Sequence, residues 1–483
     1  MDQAGATVSA VDAVERWDPF ELSLPGSADG NPYQDVEFGA EFRHGHRVVR
    51  ADGFYDGDGT YRVRFMPDRT GPWTYTTRSN APRLDGAEGR FHCLPAGPAN
   101  HGPVRVAGPR TFAHADGTPY HPFGTTCYHW THDEDEKLEE RTLRSLADSP
   151  FNKVRMCLLP TRAMNPPRLP YPGHGQQPPA PGELDTTRFD PEFFARFERR
   201  VRDLCGLGIE ADVILFHPYD EGHWGVDDMS READLALVRY TVARLAAYRN
   251  VWWSIANEYD FNKAKTLDDW HHIGRHVQRL DPYQHLRSIH NGTRMYEYES
   301  VFDFRAPWTT HQSVQHWDAS FAPEWLDRVP KPVVLDEIGY EGILGRRWGN
   351  LTGQALLRQF WHGMTAGAYV GHGECYPEED PDGAAWISRG GRLQGEAVPR
   401  VAFLRRLWEQ AAPEDRFVYF GDRRHPHRDV ELPEAGGPWR VDLIDTWNMT
   451  VTPLSGPPRT GRVRVPLDHR PDLAVRLTSS RTA

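Results

Sequence analysis

Two glutamates carry the strongest chemical signal in this sequence. Glu258 closes the run from Val251 to Asn257, and Glu337 closes the run from Pro332 to Asp336. Both runs are short and apolar, the pattern of a strand buried on both faces of a parallel sheet. A carboxylate at the end of such a strand is costly unless water, a partner or a substrate meets it there. In an eight-stranded α/β barrel every strand C-terminus opens onto one face, so both glutamates would enter one cleft. Two carboxyl groups flanking a sugar bond are the equipment of glycoside hydrolysis.

The elements that must position this pair are legible as an alternation of strands and helices between two β-rich zones. Strands are expected at 119–126, 153–159, 210–216, 251–256, 286–289, 303–308, 333–336 and 368–371. Helical patterns intervene at 137–147, 191–207, 231–248, 267–280, 351–365 and 398–410, and the connection at 292–300 is short for a helix. This is the signature of βα units and predicts an α/β fold, a (β/α)8 TIM barrel over residues 110–412. An open doubly wound sheet would carry a glycine-rich phosphate loop after its first strand, and none is present. Residues 14–105 read as short alternating strands separated by turns such as 56–59 and 68–71, the spacing of an N-terminal β-sandwich. Residues 413–483 read as a small C-terminal β domain. The sequence shows no internal repeat and no low-complexity tract.

Polar and aromatic residues accumulate where the barrel strands end. His129 and Trp130 follow the first and Arg155 lies on the second. His217, Tyr219 and Asp220 follow the third, Asn257 and Glu258 the fourth, and His290 the fifth. Thr310 and His311 follow the sixth, Glu337 the seventh, and His372, Glu374 and Tyr376 the eighth. With 483 residues and 39% hydrophobic content, the chain can build a large core. Its formal net charge of −12 and the absence of a basic stripe argue against nucleic acid or an anionic membrane as partner. No run approaches a membrane span, and the first thirty residues hold no signal-like apolar stretch. The five cysteines are far apart and lack a metal-type spacing, which reads as reduced thiols in a cytoplasmic protein.

Asn257-Glu258 at the end of a fourth strand, Glu337 at the end of a seventh and Arg155 on a second together resemble the retaining glycoside hydrolases of clan A, the cellulase-like superfamily. The N-terminal zone, with Tyr61 to Phe65 and Thr70 to Trp73, is similar to β-sandwich domains that precede such barrels in bacteria. The zone from Val441 to Met449 resembles a small β domain found behind them. The resemblance implies that Glu258 is the general acid/base and Glu337 the nucleophile, with carboxyls about 5 to 5.5 Å apart. It implies that Arg155 favours the ionised Glu337, that Asn257 bonds the sugar 2-hydroxyl, and that His290 holds the acid/base or the leaving group. His217, His311, His129 and Trp130 are expected to line the substrate site. Two departures stand out: Thr310-His311 occupies the sixth strand where the family carries a tyrosine, and the eighth strand lacks a closing tryptophan. Trp386 is the expected replacement as a stacking face.

Two other classes compete: a carbohydrate-binding protein without catalysis, and a metal-dependent hydrolase using barrel-end histidines. The second is disfavoured because His129 and His132 do not form a His-x-His pair and no set of four ligands falls at matching strand ends. No cofactor or metal is called for. The expected substrate is a carbohydrate, cleaved by exo-action on short oligosaccharides or glycosides, with the stretch from Pro160 to Glu183 as a candidate lid. The flanking β domains are expected to brace the barrel, with sugar binding or assembly into a homo-oligomer as the alternatives.

Overall fold

The computed structural model describes residues 9–10, 12–173, 177–179, 183–292, 301–377 and 385–480. Its centre is an eight-stranded parallel sheet formed by β1 (Gly124–Thr126), β2 (Lys153–Cys157), β3 (Glu210–Phe216), β4 (Val251–Ala256), β5 (Arg287–Ser288), β6 (Gln312–Gln315), β7 (Val333–Glu337) and β8 (Tyr369–His372). Neighbours pair in chain order, β8 pairs back onto β1, and a single bridge between His290 and Ser313 joins β5 to β6. The result is a TIM barrel. All residues of β2, β3, β4 and β7 are buried, which is why these strands read as continuous runs rather than alternations.

Outer helices follow the strands: α1 (Glu136–Ala147), α2 (Pro191–Gly206), α3 (Arg231–Leu245), α4 (Leu267–Leu280), α5 (Ala322–Arg328), α6 (Gly353–Ala366), α7 (Ala385–Arg389) and α8 (Ala397–Glu409). Their starts are written in the sequence. Asp190 caps α2 ahead of a proline in its first turn, Ser230 caps α3, and Thr266 and Asp269 form a reciprocal capping box on α4. Gly367, at a φ of +90°, ends α6 in the left-handed conformation that a Cβ would strain.

The expected sixth strand is misplaced. Residues 303–308 form a turn whose Trp308 is buried, and the strand lies at Gln312–Gln315 instead. Three of its four residues are polar, so it carries no hydrophobic pattern; Ser313 and Gln315 point at other polar groups inside the barrel. The short connection expected at 292–300 lies almost wholly outside the described residues, as does part of the expected lid.

A small sheet of Val104–Gly108, Thr111–His114 and Pro119–Tyr120 closes the N-terminal end of the barrel. Phe112 and Tyr120 pack against Trp252 at ring separations of 5.4 and 6.0 Å, and Tyr120 Oη donates to the Asn152 carbonyl just before β2. The N-terminal β domain is an eight-stranded sheet folded over an aromatic core that includes Phe20, Phe42, Phe65, Trp73 and Phe91. Arg64 leaves this domain to meet Glu198 of α2 at 2.8 Å, and Arg244 of α3 bonds both Glu198 and Asp56. The C-terminal β domain has its own core around Trp439, Val463 and Val475. Its Asp472 accepts from Gln354 and Arg358 of α6, each at 2.6 Å. Among the described residues no helix is long and apolar enough to cross a membrane.

Candidate active site

The interior of the barrel carries a layer of charges. Lys153 Nζ bonds Asp212 at 2.6 Å and Asp336 at 2.8 Å, and Ser313 Oγ donates to Asp336 at 2.5 Å. Asp336 is held well below the usual carboxylate range: burial opposes this, but Lys153, Arg155 and His290 outweigh it. This layer is the floor on which the site is built.

Glu337 stands above it at the end of β7. Arg155 Nη1 donates to its Oε1 at 2.9 Å, Gln315 Nε2 donates to Oε2 at 2.9 Å, and Tyr128 Oη donates a further, short bond. His290 Nε2 lies 3.4 Å from the same Oε1, while its Nδ1 is 2.9 Å from Ser313 Oγ. Burial alone would lift the Glu337 pKa. The charges of His290 and Arg155, with the bond from Tyr128, instead push it well below the ordinary value, so the carboxylate is ionised.

Glu258 has the opposite surroundings. Its acceptor bonds come from Tyr219 Oη at 2.8 Å and Gln315 Nε2 at 3.1 Å, and among the described residues no cation contacts it. Burial, followed by the negative charge of Glu337, pushes its pKa up to about 8 against the pull of those two bonds. Its backbone is left-handed, with φ of +41°, a cost that marks positions held for function. Gly292 lies against it: a Cβ there would come within 2.6 Å of the Glu258 Cβ and Cγ.

Gln315 thus bonds both carboxylates through one amide nitrogen. That limits the Glu258 Oε1 to Glu337 Oε2 gap to roughly 6 Å, and the ~120° spread of the two N–H bonds brings it near ~5 Å. Its Oε1 is buried with no partner among the described residues, an acceptor open to a hydroxyl. Asn257 is wedged between Arg155, which donates to its Oδ1, and Tyr219, to which its Nδ2 donates.

The expected site residues divide into three groups. Arg155, Asn257, Glu258, Glu337 and His290 converge, although His290 faces Glu337 rather than the acid/base or leaving group. His217 and His129 stand one layer back. His217 accepts from the Tyr219 backbone N–H, lies parallel to the Tyr219 ring and turns its Nε2 to the Leu159 carbonyl; His129 packs beside Tyr128 and His217. His311, Trp130 and Trp386 are not brought to the cleft. His311 is edge-on to Trp252 and Phe112, toward the closed end of the barrel. Trp130 is fully buried, and Trp386, 1% exposed, donates to Thr125 on the outer side of β1. Neither offers a face to a sugar. Glu374 receives the Gln394 and Gly395 backbone N–H groups, so it organises a loop.

Sequence reasoning missed Tyr128, Tyr219, Tyr340 and Gln315 as site members. Tyr128 supplies the phenol beside the nucleophile that the sixth strand lacks, and Tyr340 Oη lies 3.3 Å from Tyr128 Oη. Their signal was position alone, since Tyr128 and Tyr219 follow the first and third strands. Trp348, 38% exposed, stands edge-on to Tyr340, and the partly exposed Trp317 lies beside Gly339. Among the described residues no group of three or more His, Cys, Asp or Glu side chains is arranged to hold a metal ion.

Residues 107–376 match the model of the apiosidase-like catalytic domain. Residues 13–80 and 408–478 match two domain families of unknown function, DUF5060 and DUF5605. No curated protein matches the chain. A candidate glycoside hydrolase of Bacteroides vulgatus ATCC 8482 is 38% identical with a TM-score of 0.89, over 97% of this chain and 100% of that one. A family 5 glycoside hydrolase from the same organism shares the fold at 14% identity, with a TM-score of 0.61 over 80% of this chain and 95% of that one.

Proposed function

The chain belongs to the apiosidase-like family of glycoside hydrolases, and from that premise we propose that it is a retaining, exo-acting glycosidase working by double displacement. The observation that carries this reading is the Gln315 amide nitrogen shared by Glu258 at 3.1 Å and Glu337 at 2.9 Å, in surroundings that push the first pKa up and the second down. A gap of ~5 Å leaves no room for a water between carboxylate and sugar, and so favours direct attack with retention.

Glu258 donates its proton to the leaving oxygen as the Glu337 carboxylate attacks the anomeric carbon. The resulting ester removes the Glu337 charge that helped to raise the Glu258 pKa. Glu258, now ionised, takes a proton from water, which attacks the anomeric carbon and frees Glu337. Arg155 and Tyr128 hold Glu337 on its line of attack. Asn257 and the open Gln315 oxygen are placed for sugar hydroxyls, where bonds that tighten in the transition state accelerate the reaction.

Exo-action on short oligosaccharides or glycosides is favoured by the length of the connections after β2 (residues 158–190) and β8 (residues 373–396), since connections that long commonly serve a binding site. A small imported substrate would suit a cytoplasmic enzyme. A panel of aryl glycosides, with apiosides and other furanosides beside pyranosides, tests the reading. Chelator-insensitive release of the aryl group, with NMR showing the product anomer first formed to match the substrate, is expected. The opposite anomer would overturn the double displacement.

A further inference from the structure

A file of side chains runs from the floor of the barrel to Glu337. Lys153 Nζ bonds Asp336 Oδ1 at 2.8 Å, and Ser313 Oγ donates to Asp336 Oδ2 at 2.5 Å. His290 Nδ1 lies 2.9 Å from the same Ser313 Oγ, and His290 Nε2 lies 3.4 Å from Glu337 Oε1. Asp336, Ser313 and His290 are all buried, and Nε2 has no other partner among the described residues. The mechanism uses the last of these contacts and leaves the serine unexplained. Ser313 stands where β5 meets β6, since the bridge that joins the two strands pairs it with His290.

Counting protons fixes the direction of each bond. A hydroxyl has one proton to give, and a carboxylate can only accept. Asp336 is ionised, so the Ser313 proton is committed to it. Ser313 Oγ must then accept from His290, which places a proton on Nδ1. A neutral imidazole has one proton alone. With that proton on Nδ1, the Nε2 lone pair would face the ionised Glu337 across 3.4 Å, in a site where little water screens the repulsion. A second proton on Nε2 removes the conflict and leaves the ring a donor at both ends, between two carboxylates. Among the described residues, the other charged or titratable groups facing this file are Arg155 of β2, Asp212 of β3, Glu258 after β4 and His311, and none of them bonds either ring nitrogen.

We propose that Ser313 is a positioning residue for the nucleophile: by committing its own proton to Asp336 it obliges His290 to donate through Nδ1, and so keeps the ring a cation facing Glu337. The kinetic half of this inference rests on Glu337 as nucleophile; the protonation of the ring does not.

Two measurements test it. In protein labelled with 15N-histidine, with the His290 signals assigned by their loss in His290→Gln, both ring nitrogens of His290 should carry protons at neutral pH. In Ser313→Ala the ring can hold a single proton on Nε2, so the Nδ1–H signal should vanish. Glu337 then keeps a bond but loses a charge, and the acid limb of kcat/KM should move up by about one pH unit. The basic limb, set by Glu258, should stay in place because Tyr219 and Gln315 are untouched. A mere loosening of the seam between β5 and β6 would lower Tm and leave the acid limb unmoved. A wild-type His290 carrying one proton, or a folded Ser313→Ala variant with an unmoved acid limb, would overturn the inference. A glycosyl adduct on a residue other than Glu337 would instead sink the functional reading, and the ring signals would still decide this one.

Discussion

Gln315 is the residue on which the site's electrostatics turn. One amide bonds two carboxyls that need opposite protonation states, and the difference between those states comes from what else each touches. Glu337 has Arg155, His290 and Tyr128; among the described residues Glu258 has no cation. With Glu258 pushed up to about 8, kcat/KM should fall as pH rises through about 8, where the acid loses its proton. On the acid side, activity should persist below the usual carboxylate range because Glu337 stays ionised there. Gln315→Leu removes a donor from the charged form of both groups, so both limbs of the pH profile should move to higher pH, with kcat/KM lowered about tenfold or more. Unmoved limbs would show that the amide tunes neither. At this scale the sequence revealed the two glutamates, Arg155 and Asn257, since a carboxylate ending an apolar strand is visible without neighbours. It did not reveal Gln315 or the tyrosines, whose roles depend on strands far apart in the chain meeting at one point.

Strands that serve the site pay for it in pattern, and the elements show this unevenly. β4 and β7 remain recognisable because their polar residues sit at the ends. β6 does not, because Ser313 and Gln315 face inward and only Val314 supplies an apolar side chain to the core. The same conflict explains the tryptophans. Of the 16 in the chain, twelve are buried in the cores, and size rather than sugar chemistry accounts for them. β3 carries a further test. Glu210 at its start is buried with Trp252 Nε1 donating to it at 2.8 Å, and burial pushes its pKa up to about 8. A carboxyl whose folded pKa is raised adds stability below its unfolded value, near 4.5, and that stability is lost as pH rises toward 8. Glu210→Gln should therefore gain Tm relative to the wild type between pH 5 and pH 9. A constant difference in Tm across that range would contradict the assignment.

The whole molecule is braced by ion pairs as well as by apolar packing, in which Phe54 of the N-terminal β domain and Ile444 and Ala474 of the C-terminal one join the barrel core. Between the N-terminal β domain and the barrel, Arg64 and Arg244 share Glu198, and all three are buried. Removing one member of such a cluster strands the others in a low-dielectric setting, so Glu198→Ala should destabilise by about 3–5 kcal/mol in denaturant melts. A loss below about 1 kcal/mol would mean that water reaches these arginines. Behind the barrel, Asp472 ties Gln354 and Arg358 of α6 to the C-terminal domain. The three-part order of the chain was legible because alternation at period two gives way to βα units and then returns. These domain-spanning ion pairs were not, since nothing local in a sequence says which arginine will meet which glutamate.

The central claim is that Glu337 forms a covalent bond to the sugar. A 2-deoxy-2-fluoro glycoside with an activated leaving group, matched to the best substrate of the panel, should slow turnover enough for the ester to accumulate. Mass spectrometry of the intact protein should then show one added glycosyl unit, and peptide mapping should place it on Glu337. An adduct on Glu258 or Asp336, or hydrolysis of the reagent with inversion and no adduct, would contradict the account.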